Sequence, residues 1–425
     1  MASAVRRTWL RWRYPEGVKP ATLFALAGLA LGGAVSTAVA QRQGAFDQSI
    51  NHPAIRYNTT DADTVVDALN RKLADKSAAL AFDEQSGYLR SVLDLLKIPV
   101  ESQVLVYTQT SMQAQHITMT NPRAIYFNDH VSVGFIRGSG MLEVVAQDPV
   151  LGSVFYVVHQ ERVASPSIGR ESQCLRCHLS WDTLGVPGQT ILSTFPRQDE
   201  NGYADGFTVD HFRPIADRWG GWYVTGKRVP PKHAGNLPLF MAKRVDTPPR
   251  ARVSLEGQFD LAGYPTPYSD IVALMVMEHQ THLVNLFTRA TWESRVGGPL
   301  AESRVAEAAD AIVEYMLFVD EAPIIGGPIE GSSGYAEKFM AEGPRDAKGR
   351  SLRDLDLQTR LQKYPLSYMI YSPPFRALPA EVKRLVMAKF ERVLAGDQTG
   401  PKYAHLTPAV RQAIQEILKA TIPAD

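Results

Sequence analysis

The only two cysteines of the 425-residue chain lie in one short stretch, SQCLRCHLSW. Cys174 and Cys177 are separated by two residues, and His178 follows directly. In an oxidising compartment two cysteines most simply form a disulfide. A C-x-x-C pair can also be a thioredoxin-like redox pair, which exchanges thiol and disulfide forms. Both possibilities remain open, but neither of them makes use of the adjacent histidine.

The histidine completes the pattern C-x-x-C-H, through which c-type haem is attached covalently. The thiols of Cys174 and Cys177 would add across the two haem vinyl groups as thioethers, and the two-residue spacer matches the separation of those vinyls. The imidazole of His178 would then lie under the iron as its proximal ligand. A thioredoxin-like site would follow a buried strand, whereas the preceding segment 164–173 is a polar loop. We therefore predict one covalently bound haem c with its iron.

The first 40 residues predict export. A basic segment precedes the apolar run 21–35, and Ala38 and Ala40 have the spacing that signal peptidase reads. The apolar run is shorter than the roughly 20 residues of a comfortable membrane span. We predict that residues 1–40 are a signal peptide, with an N-terminal anchor as the alternative. The protein would be periplasmic, or tethered by this segment to the inner membrane facing the periplasm.

Composition indicates a large globular protein without a polyanionic partner. The chain exceeds the usual size of one hydrophobic core, and 45% of its residues are hydrophobic and 21% charged. The net charge is +1, with basic and acidic residues interspersed. Such a surface has no field that would attract nucleic acid, so we expect no nucleic acid partner.

Hydrophobic periodicity predicts helices first and then a sheet. Segment 61–97 has apolar residues at helical spacing and fits two short helices broken near Gly87. From 100 to 164 the period changes to two, in five short segments separated by turn residues, which indicates an antiparallel sheet. Beyond the C-x-x-C-H loop, segments 189–195 and 220–228 add further predicted strands.

The last third of the chain is predicted to be helical. Amphipathic or apolar periodicity indicates four helices, at 268–292, 301–321, 378–396 and 406–421. Segment 322–351 is dense in Gly, Pro and charge, and is either a long surface loop or a segment that folds over the haem or binds a partner.

These patterns together predict the fold class. We expect an α+β protein and not the small all-helical cytochrome c fold. An antiparallel β-rich haem-binding region, 45–265, would carry the C-x-x-C-H loop at 174–178. A mainly helical region, 266–425, would follow it.

Residues 172–178 resemble the haem-binding site of c-type cytochromes. Segments 121–135, 218–226 and 353–375 are also similar to stretches of large, exported, single-haem c-type proteins. The resemblance implies thioether links at Cys174 and Cys177 and iron ligation by His178, but it implies no particular activity.

The second axial ligand of the iron decides between electron transfer and catalysis. Small cytochromes use a methionine some sixty residues beyond the motif, where Met241 stands, but the Gly-, Pro- and Trp-rich segment between them does not match that fold. We predict His233, on a loop bounded by proline and glycine, with His279 as second choice and an open position as the alternative. His279 and His282 share one helix face and could hold a second metal, although an amphipathic helix explains them more simply.

We expect an electron carrier rather than an enzyme, with no catalytic residues. The protein would transfer one electron at a time between periplasmic or membrane redox partner proteins. Two alternatives remain: a peroxidase-like haem enzyme or a gas or redox sensor with an open sixth iron position, and a haem subunit of a respiratory complex.

Overall fold

Six strands form one antiparallel sheet, in which they are arranged in their order along the chain. The computed structural model describes residues 50–194, 206–238 and 251–422. Within the longest pairing, Met141 lies opposite His159 and Asp148 lies opposite Gly152. The period-two pattern between 100 and 164 predicted the first five strands correctly. The strands are β1 Val104–Val106, β2 Arg123–Phe127, β3 Val131–Phe135, β4 Met141–Asp148, β5 Gly152–His159 and β6 Gly169–Arg170.

Both faces of the sheet are covered, because successive side chains of a strand point in opposite directions. On β1, Val104 and Val106 belong to an apolar core shared with the C-terminal helices. Leu105, between them, belongs to a second core shared with the N-terminal helices. The sheet therefore separates two layers of helix.

The helices confirm the predicted α+β class, with the sheet region first and a mainly helical region after it. The two helices predicted in 61–97 are present, and the C-x-x-C-H residues form a single helical turn. A further pair of short strands forms its own antiparallel ribbon. The helices are α1 Val65–Ala74, α2 Leu89–Leu95, α3 Leu175–His178, α4 Ile271–Val296, α5 Ala301–Met316, α6 Tyr335–Ala341, α7 Pro373–Arg376, α8 Ala380–Ala395 and α9 Pro408–Thr421, and the ribbon strands are β7 Leu192–Thr194 and β8 Gly206–Thr208.

Helix α4 is buried on every side along most of its length. Its N-cap residue Asp270 accepts hydrogen bonds from the backbone N–H groups of Val272 and Ala273, at 2.8 and 3.3 Å. The other carboxylate oxygen of Asp270 accepts from the N–H groups of Ser332 and Ser333, at 2.7 and 2.8 Å. Asp270 therefore joins the start of the central helix to the segment 322–351.

That segment is neither a simple surface loop nor a cover over the C-x-x-C-H residues. It contains α6, whose Tyr335 and Phe339 are buried. The ring of Tyr335 packs against Phe127 of β2, with 5.6 Å between ring centroids. These two aromatic residues are four apart, so they lie on the same face of α6 and make it apolar. The many Gly and charged residues around them hid this short helix from the sequence analysis.

The strand predicted at 220–228 is wrong. The structure has three isolated bridges there instead of a strand, which join Trp222 to Val106, Thr225 to Asp270 and Arg228 to Glu330. The backbone turns at Trp219, whose φ is 70°. It then makes two hydrogen bonds at the edge of β1: the N–H of Tyr223 donates to the carbonyl of Leu105, and the N–H of Tyr107 donates to the carbonyl of Gly221. The side chains of 222–224 are all buried, so the segment lacks the one-sided exposure that alternation implied.

Contacts group Gln48–Asp425 into one compact unit. The boundary at residue 265 between a haem-binding region and a helical region stays a prediction. In the described ranges no helix is both long and apolar enough to cross a membrane. The predicted signal peptide or anchor, 1–40, and Met241 lie outside the described residues.

Replacing the N-cap of α4, Asp270→Ala, should lower the free energy of unfolding by about 3 kcal/mol, because buried N–H groups lose their acceptor. Thr407→Ala removes the cap of the more exposed helix α9 and should lower it by about 1 kcal/mol. Urea unfolding of the two variants measures both effects. Equal losses would show that Asp270 acts only as an ordinary helix cap.

Candidate functional site

The C-x-x-C-H residues line an open cleft whose enclosed volume is about 60 Å³. Helix α3, strands β2, β4 and β5, and the loop before β2 supply its walls. The lining residues are Thr110, Ser111, Met112, Arg123, Glu143, Val144, Val145, Phe155, Tyr156, Cys174, Cys177 and His178.

Both thiols of the site are free. Cys177 is exposed and Cys174 is half-buried. Burial, with smaller contributions from Glu143 and Glu171, raises the pKa of Cys174 to about 11. The nucleophilic cysteine of a thioredoxin-like pair has a lowered pKa instead. The surroundings of Cys174 therefore differ from those of a thioredoxin-like nucleophile.

One ring nitrogen of His178 is held by the backbone. Its Nδ1 lies 3.0 Å from the carbonyl oxygen of Gly188. A carbonyl can only accept, so Nδ1 carries the proton and Nε2 keeps its lone pair. Burial and then Arg123 lower the pKa of His178, which favours the neutral ring. No hydrogen bond to Nε2 occurs within the described residues.

This arrangement is the one that metal-binding histidines use. Such residues donate the other ring N–H to a carbonyl or carboxylate, which fixes the tautomer and the orientation of the ring. Phe155 of β5 adds a ring contact at 4.8 Å between centroids. Nε2 is therefore the nitrogen of His178 through which a metal could be bound.

The central helix positions Gly188 in turn. The backbone N–H of Gly188 donates to the carbonyl of His178 at 3.0 Å. The next residue, Gln189, exchanges two hydrogen bonds with the amide of Asn285 on α4, at 3.2 and 2.8 Å. A Cβ atom on Gly188 would lie 2.3 Å from Asn285 Oδ1. Glycine at 188 therefore allows the loop to approach α4 and to hold His178.

An ion pair crosses the sheet at the cleft. Arg123 of β2 and Glu143 of β4 meet above Gly134 of β3. A Cβ atom on Gly134 would lie 2.9 Å from Arg123 Nε, so the pair depends on glycine there. Glu143 Oε1 also accepts hydrogen bonds from Ser111 Oγ at 3.3 Å and from Gln113 Nε2 at 3.0 Å. The carboxylate thus fastens the loop before β2 to the sheet.

The two predicted distal ligands do not line this cleft. His233 is buried against Trp219, and its Nδ1 accepts a hydrogen bond from the N–H of Gly235 at 3.1 Å. His279 is buried in the helical region, where its Nε2 lies 2.7 Å from Ser367 Oγ. The structure brings together Cys174, Cys177 and His178, but it does not place either of these two histidines with them.

His279 belongs instead to a buried cluster of rings. Its Nδ1 lies 3.2 Å from Nδ1 of His211. The ring of Tyr315 stacks on His211 and on His282, at 3.8 and 4.4 Å between centroids. Across the part of the chain that the structure describes, no three His, Cys, Asp or Glu side chains are placed to hold a metal ion. The cluster is therefore better explained as packing of the helical region than as a second metal site.

Sequence reasoning missed three residues of the cleft: Met112, Arg123 and Glu143. Met112 stands in the polar loop QTSMQAQH, which has no periodicity. The ion pair joins strands that are not neighbours, so no local spacing reveals it. Comparisons with protein-family models, with curated proteins and with solved structures found no match.

His233→Asn tests the buried environment of His233. Burial lowers the pKa of this imidazole from 6.5 to about 4. Between these values the unfolded chain binds a proton that the folded protein does not, so stability is complete above pH 6.5 and is lost as the pH falls towards 4. Asparagine keeps an acceptor for Gly235 but does not titrate.

We expect the wild type to lose roughly 3 kcal/mol more stability than His233→Asn between pH 7 and pH 4. Urea unfolding at several pH values in this range measures the difference. A difference between the two proteins that does not change with pH would contradict the prediction.

Proposed function

We propose that this protein is an exported single-haem c-type cytochrome that transfers one electron at a time between redox partner proteins of the periplasm or inner membrane. One observation carries the proposal. A histidine whose Nδ1–H is committed to a carbonyl, and whose Nε2 makes no hydrogen bond in the described ranges, stands beside two free thiols at an open cleft.

The residues of the cleft fit a covalent haem. At Cys174 and Cys177 each S–H would add across a vinyl group, with sulfur bonding to one vinyl carbon and hydrogen to the other. His178 Nε2 would bind the iron. Arg123 at the same cleft is ion-paired with Glu143, so the pair brings no net charge to the cofactor. The bound haem would supply a reversible one-electron iron couple.

The chain's own residues orient and expose the site. The carbonyl of Gly188 and the ring of Phe155 hold the imidazole of His178 in one orientation. Cys177 and the nearby Trp181 are exposed, so the attachment segment lies at the surface. A cofactor held there would present an edge to a partner protein, as electron transfer between proteins requires.

A haem enzyme or gas sensor is the second candidate. The open mouth of the cleft favours it, because a small molecule could reach a cofactor bound there. This candidate needs an open sixth position on the iron, whereas a simple relay has two strong axial ligands. Spectra of the ferric protein, and of the ferrous protein with carbon monoxide, separate the two.

Replacing both cysteines, Cys174→Ser with Cys177→Ser, should abolish covalent haem. Wild-type protein matured in a host with haem-attachment machinery should keep its haem on a denaturing gel. Each single variant should keep at most one thioether, which changes the pyridine haemochrome spectrum. The control Met340→Leu alters a half-buried methionine of the helical region and should stain like wild type. Folded wild-type protein without covalent haem would contradict the proposal.

A further inference from the structure

We propose that Met112 is the second axial ligand of the haem iron, on the face away from His178. This assignment rests on the proposed function and names a residue of the same cleft. The sequence predicted His233 or His279 as this ligand, but both are buried elsewhere, whereas Met112 lines the cleft.

Elimination among the donor groups of the cleft leads to Met112. The hydroxyl of Tyr156 is already engaged, with Thr64 Oγ1 at 2.9 Å and Asp67 Oδ2 at 2.7 Å. The carboxylate of Glu143 is committed to Arg123 and to the loop before β2. Both cysteine sulfurs would be used in thioethers. The thioether of Met112 remains, and it is a known axial donor to haem iron.

The environment of Met112 supports this role. The side chain is 60% exposed and belongs to neither of the two apolar cores, so it is not held by packing. Its two neighbours are fixed, because Ser111 and Gln113 both donate to Glu143 and the N–H of Gln113 donates to Ser111 Oγ at 3.1 Å. The backbone is therefore anchored at the cleft, while the flexible methionine side chain stays free to turn.

The competing histidines would need larger changes. His233 and His279 are 4% and 0% exposed, and each has a ring nitrogen within hydrogen-bond distance of a neighbouring group. Either ring would have to leave its packed position to reach an iron beside His178. Met112 already lines the cleft.

The test uses the full chain matured with haem, as wild type, Met112→Leu, Met112→His and the controls Met340→Leu and His233→Asn. Electron paramagnetic resonance and visible spectra report the spin state and the weak red-edge band of sulfur bound to ferric iron. Stopped-flow mixing of the ferrous protein with carbon monoxide reports access to the sixth position, and a redox titration gives the potential.

We expect wild type to be low-spin with the red-edge band. Met112→Leu should lose the band, become high-spin and bind carbon monoxide at least tenfold faster. Met112→His should stay low-spin without the band and have a lower potential, since methionine ligation raises the potential of haem iron. Both controls should behave like wild type. Gln113→Leu, which removes one tether of the loop, should give a partly high-spin protein.

Three results would overturn the assignment: a low-spin Met112→Leu protein that keeps the band, loss of low-spin character in His233→Asn, or a high-spin wild type with covalent haem. The last of these overturns the ligand but leaves the proposed covalent haem intact. Absence of covalent haem from the wild type would instead overturn the proposed function itself.

Discussion

The hydrogen bond from His178 Nδ1 to the carbonyl of Gly188 is the interaction on which the site depends. It decides which nitrogen of the imidazole carries the proton, and so which nitrogen can bind a metal. It exists because Asn285 of the buried helix α4 holds the neighbouring Gln189. The helical region that follows the sheet therefore helps to orient His178. Asn285 lies 96 residues away in the sequence from Gln189, the loop residue that it binds.

The sheet forms the other side of the cleft, and it too positions residues there through contacts between distant parts of the chain. Gly134 lets an arginine and a glutamate from flanking strands meet across β3, and Glu143 then anchors the loop that carries Met112. The pair is only partly buried, and such ion pairs add little stability by themselves. Here its value lies in positioning, because one carboxylate fixes a loop that has no regular structure at the edge of the cleft.

The fold was largely predictable because it depends on local patterns. Period-two runs marked the strands, helical periodicity marked α4, α5, α8 and α9, and the spacing of Cys174, Cys177 and His178 marked one wall of the cleft. The opposite wall was not predictable, since contacts such as Glu143 with Gln113 depend on strand register. His233 stood on a Pro- and Gly-bounded loop that suggested approach to the haem, but it is buried against Trp219. The strand expected at 220–228 failed because the segment bridges to three separate parts of the chain and not along one neighbouring strand.

A single haem bound to the chain through Cys174 and Cys177 underlies the other proposals for this site. Mass spectrometry of peptides from the denatured, haem-matured protein can detect this link. We expect a peptide containing SQCLRCHLSW that carries the added mass of one haem, with no thiol left to alkylate. A Cys174–Cys177 disulfide, or two alkylated thiols in that peptide, would contradict it.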